Sequence, residues 1–315
     1  MDAERLLSDA RRPLCIGIGG GGDVVGALAT GEACRIYSGA RPVVGGVTWE
    51  RRPIDPLPGP RRASEIAGAE PLAPGVMLAR AETCVEASGV RFAEARMAEF
   101  LGDPTVLVDV NEGPATLAGG LAAAAAALDC DLLVLVDVGG DALAHGDEPG
   151  LASPLCDALM LAAGARLAGS GDIPVLAGVF GVGCDGELRP AEVLGRLAEV
   201  GRAGGLAGWR GLTEPVVERL DAAVEAVPTE ASAQALRCFR GELGEATIRG
   251  GRRTVELSPV GAGTVYVDPA AAVASAARLA AAVLDCADID AGEAVLRGLG
   301  VRTELAYERE AAHTT

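Results

Sequence analysis

The sequence predicts an α/β fold of Rossmann-like, doubly wound type, with a mainly parallel sheet and helices on both faces. Short apolar runs rich in Val, Leu and Ile alternate with longer Ala-rich runs over the first two-thirds of the 315 residues, as expected for strand–loop–helix units. Half of the residues are apolar but only 3% are aromatic, so the core has to come from close packing of small side chains. We expect a single domain over residues 1–315, with a helical-hairpin insertion at residues 208–250.

The predicted strands are short apolar runs that are followed by glycine or acidic residues. Leu132–Val138 is the most apolar of them and indicates a strand buried on both faces. Because α/β sheets bind ligands at the carboxyl ends of their strands, the residues that follow each strand are the candidate site residues. The predicted strands are Leu14–Ile18, Val43–Trp49, Val76–Ala79, Val106–Val110, Leu132–Val138, Pro174–Phe180, Arg252–Leu257 and Thr264–Asp268.

The predicted helices lie between these strands. A Ser-Pro pair at Ser153 is a typical helix start, and the four prolines of residues 53–60 exclude a helix there. The segment after residue 208 contains two predicted helices joined by a Pro-Thr turn, which is the basis of the predicted insertion. The predicted helices are Asp23–Thr30, Val90–Leu101, residues 114–128, Ser153–Ala168, Pro190–Ala203, Thr213–Val227, Glu230–Leu243 and Ala270–Cys286.

Charge and cysteine content exclude several classes of protein. The formal net charge is −17, and an acidic surface repels nucleic acids and anionic membranes. We therefore expect no nucleic-acid partner and no membrane partner, while a homo-oligomer remains open. All 27 basic residues are arginine, which excludes a Schiff-base lysine and a Walker-type lysine. The eight cysteines form no C-x-x-C pair and no signal peptide is visible, which predicts a cytoplasmic protein with reduced thiols.

The first candidate site is the glycine-rich segment Gly17–Asp23, which contains G-x-G-x-x-G between a predicted strand and a helix. Bare glycines let backbone amides approach an anion, and the helix N-terminus favours negative charge. The predicted anion-binding residues are Gly19, Gly20, Gly21, Gly22 and Asp23. The alternative is a structural turn in which Asp23 caps the helix.

A dinucleotide site also needs an acidic residue about 20 residues further on, at the end of the second strand. Glu50 is the nearest candidate and comes late, so binding of NAD(P) is the alternative and not the first prediction. Two arginines follow it, Arg51 and Arg52, in a loop made rigid by proline. Together with Arg252, they are predicted to bind a phosphate or carboxylate, although both arginine segments are also compatible with surface salt bridges.

The most distinctive segment follows the most apolar strand and runs from Asp137 to Glu148, continuing through Ser153–Asp157. Clustered carboxylates at a strand end suit Mg²⁺ or acid–base chemistry, and a histidine suits proton transfer near neutral pH. The alternative is a solvated loop with helix caps at Asp141 and Ser153. The predicted catalytic residues are Asp137, Asp141, His145, Asp147 and Glu148; Asp137 and Asp141 are the ligands if a metal is held, and Gly139 and Gly140 line the ligand.

A further glycine-rich segment, Gly181–Glu187, follows the next strand and adds Asp185 to the predicted binding residues. Its Cys184 has no histidine nearby in sequence except His145. A buried structural thiol is the favoured interpretation of Cys184 over a nucleophile.

Four segments of this chain, GGGGDVVGA, WERRPIDPLPGPR, DVGGDALAHGDEPGLASPLCDALML and RGGRRTVELSPVGAGTVYVDP, resemble an uncharacterised prokaryotic family known as a domain of unknown function (DUF1152). The resemblance spans nearly the whole chain and implies one unit, without an activity. From the residues we expect a hydrolase or transferase that acts on a small phosphorylated or nucleotide-like substrate. The cofactor is left open between Mg²⁺ and the less favoured NAD(P). The alternatives are an NAD(P)-dependent enzyme and a non-catalytic sensor of a nucleotide or small anion.

Overall fold

A large mixed sheet with helices on both faces forms the body of the molecule, which confirms the expected Rossmann-like α/β fold. The structure is a computed structural model that describes residues 1–313, so the last two residues of the predicted domain lie outside it. Within the described chain, the strands are β1 Pro13–Gly17, β2 Val43–Val47, β3 Ile66–Ala73, β4 Val76–Val85, β5 Thr105–Val108, β6 Leu132–Val138, β7 Val175–Phe180, β8 Leu206–Gly211, β9 Gly244–Ile248, β10 Arg253–Leu257 and β11 Gly263–Val267.

The helices connect these strands and extend past the last one. In chain order they are α1 Ala3–Asp9, α2 Asp23–Ser38, α3 Ala93–Leu101, α4 Pro114–Ala127, α5 Pro154–Ser170, α6 Pro190–Arg202, α7 Glu214–Ala226, α8 Glu230–Phe239, α9 Pro269–Ser275, α10 Arg278–Val283, α11 Ile289–Gly298 and α12 Glu304–His313. None of the helices in residues 1–313 has the length and hydropathy needed to cross a bilayer.

The nine strands of the main sheet have the order β3-β4-β5-β2-β1-β6-β7-β11-β8. The five central strands run parallel, whereas β4 and β3 at one edge and β11 and β8 at the other pair antiparallel. The chain winds outward from β1 to β2 and β5, then returns to the other side of β1 as β6. The loops after β1 and β6 are therefore neighbours at the point where the strand order reverses, which is where open α/β sheets bind ligands.

Side chains of the central strands alternate between the two faces. Leu14 and Ile16 of β1 pack in the cluster that contains α4 and α5, whereas Cys15 packs in the cluster that contains α2 and α7. Small residues allow this close packing, as at Gly26 of α2, where a Cβ would lie 2.5 Å from a methyl group of Val138. An Ala- and Gly-rich core of this kind needs few aromatic side chains.

The C-terminal half departs from the expectations in several places, and its helices α11 and α12 were not predicted. The predicted helix Ala270–Cys286 is two short helices, α9 and α10, with a break at Ala276 and Ala277. Residues 208–211 belong to edge strand β8, so the chain leaves the main sheet only after Gly211. The two predicted helices of the insertion are present as α7 and α8, but strand β9 also lies within residues 208–250. β9 pairs with β10 in a hairpin that pairs only with itself within the described chain.

Candidate functional site

The turn between β1 and α2 places backbone amides at the carboxyl edge of the sheet. The Gly19 amide donates to Asp23 Oδ2 at 3.0 Å, and the Gly21 amide donates to the Trp49 carbonyl at 3.1 Å. Within residues 1–313 the amides of Gly20 and Gly22 make no hydrogen bond. All four glycines are half-exposed. Free amides before a 16-residue helix are the donors that an anion needs.

Three aspartates from three elements meet beside this turn, and we call Asp23, Asp137 and Asp157 the aspartate trio. Asp23 begins α2, Asp137 lies in β6 and Asp157 lies in the first turn of α5. Each offers one carboxylate oxygen, and these oxygens lie within 4.8 Å of one another. Asp137 and Asp157 are only 2% and 1% exposed, and the Oδ1 atom of each has no hydrogen-bond partner in the described chain.

Gly19 borders the aspartate trio directly. A Cβ at this position would lie 2.6 Å from Asp23 Oδ2 and 3.1 Å from both carboxylate oxygens of Asp157. The absence of a side chain at Gly19 is therefore what lets the glycine turn approach the carboxylates. The turn after β1 and the residues of β6 and α5 therefore meet at one place.

The charges of the trio are poorly compensated. Removal from water and the charge of Asp137 raise the pKa of Asp23 to about 8, and burial raises the pKa of Asp137 to about 6. Burial, followed by the charges of Asp137 and Asp23, raises the pKa of Asp157 well above its usual value. Carboxyl groups in this state favour either a proton or a cation.

A second acidic group adjoins the trio and consists of Asp141, Asp185 and Glu187, which also offer oxygens within 4.8 Å of one another. Burial and the neighbouring carboxylates raise the pKa values of Asp141 and Asp185 well above their usual range. Burial opposes ionisation of Glu187, but Arg253 and Ser153 lower its pKa. Arg253 Nη1 lies 2.8 Å from Glu187 Oε1, so this group has the ion pair that the trio lacks.

Two glycines after β6 make room for this second group. Gly139 and Gly140 have φ values of 120° and 118°, a conformation that side chains rarely adopt. A Cβ at Gly139 would overlap the carboxyl group of Asp185, and one at Gly140 would lie 2.7 Å from a methyl group of Val193. Both glycines therefore allow close approach by other protein groups, and Gly139 positions Asp185 over the end of β6.

Arg51 lies in the loop after β2 and holds the glycine turn in place. Its Nη2 atom donates to the Gly19 carbonyl at 2.5 Å, its Nη1 atom lies 3.1 Å from Glu304 Oε1, and its guanidinium stacks 4.0 Å from the Trp49 ring centroid. Glu304 in turn accepts hydrogen bonds from the amides that open α5. Arg51 thus connects the glycine turn to the helix that carries Asp157.

Glu50 and Arg52, also predicted to bind the ligand, make structural contacts. Glu50 is 4% exposed and its Oε1 atom accepts a 2.5 Å hydrogen bond from Ala93, which opens α3. Burial raises the pKa of Glu50 to about 7. The Arg52 amide donates to Glu308, and its guanidinium donates to the Pro56 carbonyl at 3.2 Å.

The predicted residues His145 and Glu148 contact α6 and not the glycine turn. His145 Nε2 lies 3.1 Å from Glu199 Oε2, and Arg196 Nη2 lies 2.9 Å from Glu148 Oε1. Glu148 also accepts hydrogen bonds from two amides of its own loop, while Asp147 is exposed. A third group of possible metal ligands, separate from the trio, consists of His145, Asp147 and Glu148.

Arg252, the remaining predicted anion-binding residue, lies in the turn of the β9–β10 hairpin. It is exposed, and its Nε atom donates to the Arg249 carbonyl at 2.9 Å. Cys184 is buried with its sulfur 3.9 Å from that of Cys238, in agreement with a structural thiol. Two cavities of about 190 Å³ and 370 Å³ lie elsewhere, beside the proline-rich loop and beside β8.

Sequence reasoning did not assign a role to Asp157 or Glu304. Asp157 could have been predicted, because it ends the acidic segment and lies one turn into a helix whose Ser-Pro start is visible in the sequence. Glu304 had no such signal, since it comes from α12, near the C-terminal end of the described chain. Its contact with Arg51 exists only in the folded protein.

Comparisons with known proteins agree with the resemblance in sequence. A family model matches residues 14–312, and its description is "Protein of unknown function (DUF1152)". No curated protein matches the chain. No solved structure matches it either.

Proposed function

We propose that this chain, which belongs to that family, is a Mg²⁺-assisted enzyme that acts on a small phosphorylated or nucleotide-like substrate by hydrolysis or group transfer. One observation supports the proposal most strongly. Asp137 and Asp157 each present a buried Oδ1 atom without a hydrogen-bond partner in the described chain, next to half-exposed amides of the glycine turn. Buried unpaired carboxylates are costly, and a bound cation would offset that cost.

The dimensions of the trio suit a small hard cation. Mg²⁺ binds oxygen at about 2.1 Å in octahedral geometry, so opposite ligands lie about 4.2 Å apart and adjacent ones about 3 Å apart. The three carboxylate oxygens lie within 4.8 Å of one another, so one cation could contact all three once the side chains move closer together. Asp23, Asp137 and Asp157 are therefore the proposed ligands. Of the two metal ligands expected from the sequence, Asp137 is one of the proposed ligands. The other, Asp141, belongs to the adjoining acidic group.

The neighbouring residues supply the other parts of a phosphoryl-transfer site. The amides of Gly20 and Gly22, at the start of α2, would bind phosphate oxygens. Arg51 would hold the turn in place through the Gly19 carbonyl, 2.5 Å away. A bound Mg²⁺ would polarise a phosphoryl oxygen. Asp141 is 6% exposed, and burial and neighbouring carboxylates, Asp137 among them, raise its pKa, so it is the proposed group for proton transfer.

The surroundings of Glu50 favour this proposal over an NAD(P)-dependent enzyme. A dinucleotide site needs an acidic residue that is free to bind the ribose hydroxyls. Glu50 instead is buried and accepts the amide hydrogen of Ala93. A non-catalytic sensor of the same anion would use the same glycines and the same trio, so only a turnover measurement separates the two.

The experiment is a turnover assay of the full-length protein against nucleoside mono-, di- and triphosphates and sugar phosphates, with MgCl₂ or with EDTA. Products are identified by mass spectrometry. We expect Mg²⁺-dependent turnover of at least one compound, and at least about a hundredfold loss in Asp137→Asn because a charged ligand of the cation is removed.

Asp172→Asn is the matched control, because Asp172 is an exposed aspartate in the loop after α5, and we expect it to keep full activity. Binding without turnover would support the sensor. If the folded protein neither binds nor converts any of the compounds, or if Asp137→Asn is as active as Asp172→Asn, the proposal is wrong.

A further inference from the structure

The turn of the β9–β10 hairpin lies between the two halves of the site. On one side, Arg253 Nη1 donates to the Asp185 carbonyl at 3.2 Å and to Glu187 Oε1 at 2.8 Å. On the other side, the amide of Arg249 donates to the carboxylate of Glu230. The residue before Glu230, Thr229, packs so closely on Gly22 that a Cβ at Gly22 would overlap its side chain. The hairpin thus connects the Asp185–Glu187 loop to the glycine turn.

The strands of this hairpin are anchored in the core, so the turn has a defined position. Ala246, Ile248, Val255 and Leu257 are buried in the cluster that includes α2 and α8. The residues between the strands, 249–252, contain two arginines and two glycines. The turn therefore carries positive charge toward an acidic site.

Arg249 has an unusual backbone conformation within this turn. Its φ is 54°, and Asp129 is the only other non-glycine residue with a positive φ in the described chain. Left-handed backbone is unfavourable for a residue with a long side chain, and such positions recur at ligand-binding sites. Glycine or asparagine would suit the turn better, so the turn geometry gives no reason for an arginine.

The guanidinium of Arg249 makes no ion pair and no hydrogen bond within residues 1–313. The neighbouring arginines differ in this respect, because Arg253 pairs with Glu187 and Arg51 pairs with Glu304. The groups that interact electrostatically with the Arg249 guanidinium are Arg253, Glu187, Asp185 and Arg51. Arg249 is exposed, and its backbone lies beside Glu230, next to the residue that packs on Gly22.

Three observations suggest the kind of ligand: an unpaired guanidinium on the hairpin, free amides in the glycine turn, and unpaired carboxylates in the trio. We propose that Arg249 binds the terminal phosphoryl group of the substrate, on the side opposite the cation held by the aspartate trio. This inference rests on the proposed function and narrows its substrate class. A terminal phosphoryl group has three non-bridging oxygens, so it can contact the cation, the glycine amides and Arg249 together. A carboxylate has only two oxygens, and a phosphodiester has only two that are free.

Desolvation and the nearby charge of Arg253 hold the pKa of Arg249 below its usual value. An anion bound between Arg249 and Arg253 would relieve this repulsion. Arg252 was the arginine of this turn expected from the sequence, but its Nε atom donates to the backbone of the same turn. Arg249 is therefore the better candidate, and Arg252 is a matched control on the same hairpin.

The test is calorimetric titration of the full-length protein, first with MgCl₂ alone and then with phenylphosphonate in the presence of MgCl₂. Phenylphosphonate has three free oxygens and is not hydrolysed, and benzoate is the carboxylate comparison. The variants are Arg249→Asn, which suits left-handed backbone, and Arg252→Asn. We expect Arg249→Asn to weaken phenylphosphonate binding at least about tenfold while leaving Mg²⁺ affinity within about twofold. Arg252→Asn should change neither by more than about twofold.

The two proposals fail in distinguishable ways. If the wild type binds no Mg²⁺, the proposed function is wrong and this inference falls with it. If Mg²⁺ binds normally but phenylphosphonate binds no better than benzoate, or binds Arg249→Asn as tightly as the wild type, only the assignment of Arg249 is overturned. A larger loss in Arg252→Asn than in Arg249→Asn would also overturn it.

Discussion

Glu304 and Arg51 form an ion pair, with Oε1 and Nη1 3.1 Å apart, that joins the C-terminal helix to the glycine turn. Arg51 also holds the Gly19 carbonyl, and Glu304 also accepts hydrogen bonds from the amides of Leu155 and Cys156 at the start of α5. The positions of Gly19 and of Asp157 therefore depend on one set of polar contacts. This explains how residues far apart in sequence keep a common geometry.

Breaking this pair should destabilise the fold. Glu304→Gln leaves the largely buried Arg51 guanidinium without its counter-charge, and we expect a loss of about 2 kcal/mol in the free energy of unfolding. Urea denaturation at pH 7 measures it. Glu310→Gln is the control on the same helix, because Glu310 and its partner Arg302 are both mostly exposed, and its effect should stay below about 0.5 kcal/mol. Equal losses in the two variants would show that the Glu304 pair has no special role.

Gly19→Ala should weaken Mg²⁺ binding. The added methyl group would lie 2.6 Å from Asp23 Oδ2 and 3.1 Å from both oxygens of Asp157, so the carboxylates must move apart. We expect a loss of affinity of about tenfold or more in calorimetric titration, which corresponds to about 1.4 kcal/mol. Gly169→Ala, in α5 with no atom near its Cβ position, should keep normal affinity and be slightly more stable. Unchanged Mg²⁺ affinity in Gly19→Ala would separate the glycine turn from the cation site.

Asp157→Asn should change stability in opposite directions with and without the cation. Without Mg²⁺, the neutral amide removes the cost of burying or protonating an unpaired carboxyl group, and we expect the melting temperature to rise by a few degrees, or about 1 kcal/mol. With Mg²⁺, the wild type should gain stability by ligand binding, and the variant should gain much less. Differential scanning calorimetry, first without MgCl₂ and then with MgCl₂ raised in steps of about tenfold, measures both effects. A variant that is less stable without Mg²⁺ would identify Asp157 as a structural carboxylate.

The pH dependence of stability should reflect a pair of buried glutamates behind the site. Burial and the charge of Glu50 raise the pKa of Glu94 well above its usual value, and burial raises the pKa of Glu50 to about 7. The folded state therefore binds more protons than the unfolded state. Their contribution to stability is fully present below the unfolded pKa of about 4.3 and is lost as the pH rises through the folded values. Glu187, with a lowered pKa, acts in the opposite direction only at more acidic pH.

We therefore expect the metal-free protein to become less stable between pH 5 and pH 8. Glu94→Gln should reduce this slope and stabilise the protein at pH 8 by about 1 kcal/mol, because both carboxylate oxygens of Glu94 are buried without a partner in the described chain. Glu86→Gln, at an exposed glutamate, is the control and should keep the wild-type slope. Thermal unfolding at a series of pH values distinguishes them, and parallel curves for the two variants would contradict the assignment.

Much of the central sheet could be predicted from the sequence, because its strands are short apolar runs followed by glycine or aspartate. β1, β6 and β7 lie within one residue of their predicted bounds. The edge strands were harder. Neither β3 nor β8 contains a buried residue, so neither has the apolar pattern on which the prediction depends.

The residues of the candidate site also differ in how well the sequence predicts them. Asp23 and Asp137 follow from local rules, since Asp137 lies at the carboxyl end of a predicted parallel strand and Asp23 begins the helix that follows another. Asp157 requires knowledge of how α5 packs, and Glu304 requires knowledge of the fold of the C-terminal helices. Periodicity also could not place His145 beside Glu199 of α6, because that contact depends on how a helix docks on a loop.

The most direct measurement is an anomalous diffraction map of crystals of the protein soaked in MnCl₂, with Mn²⁺ as the visible substitute for Mg²⁺. The account predicts a peak among the carboxylates of Asp23, Asp137 and Asp157, lost in Asp137→Asn crystals. A map with Mn²⁺ bound elsewhere and no peak within the trio would contradict it.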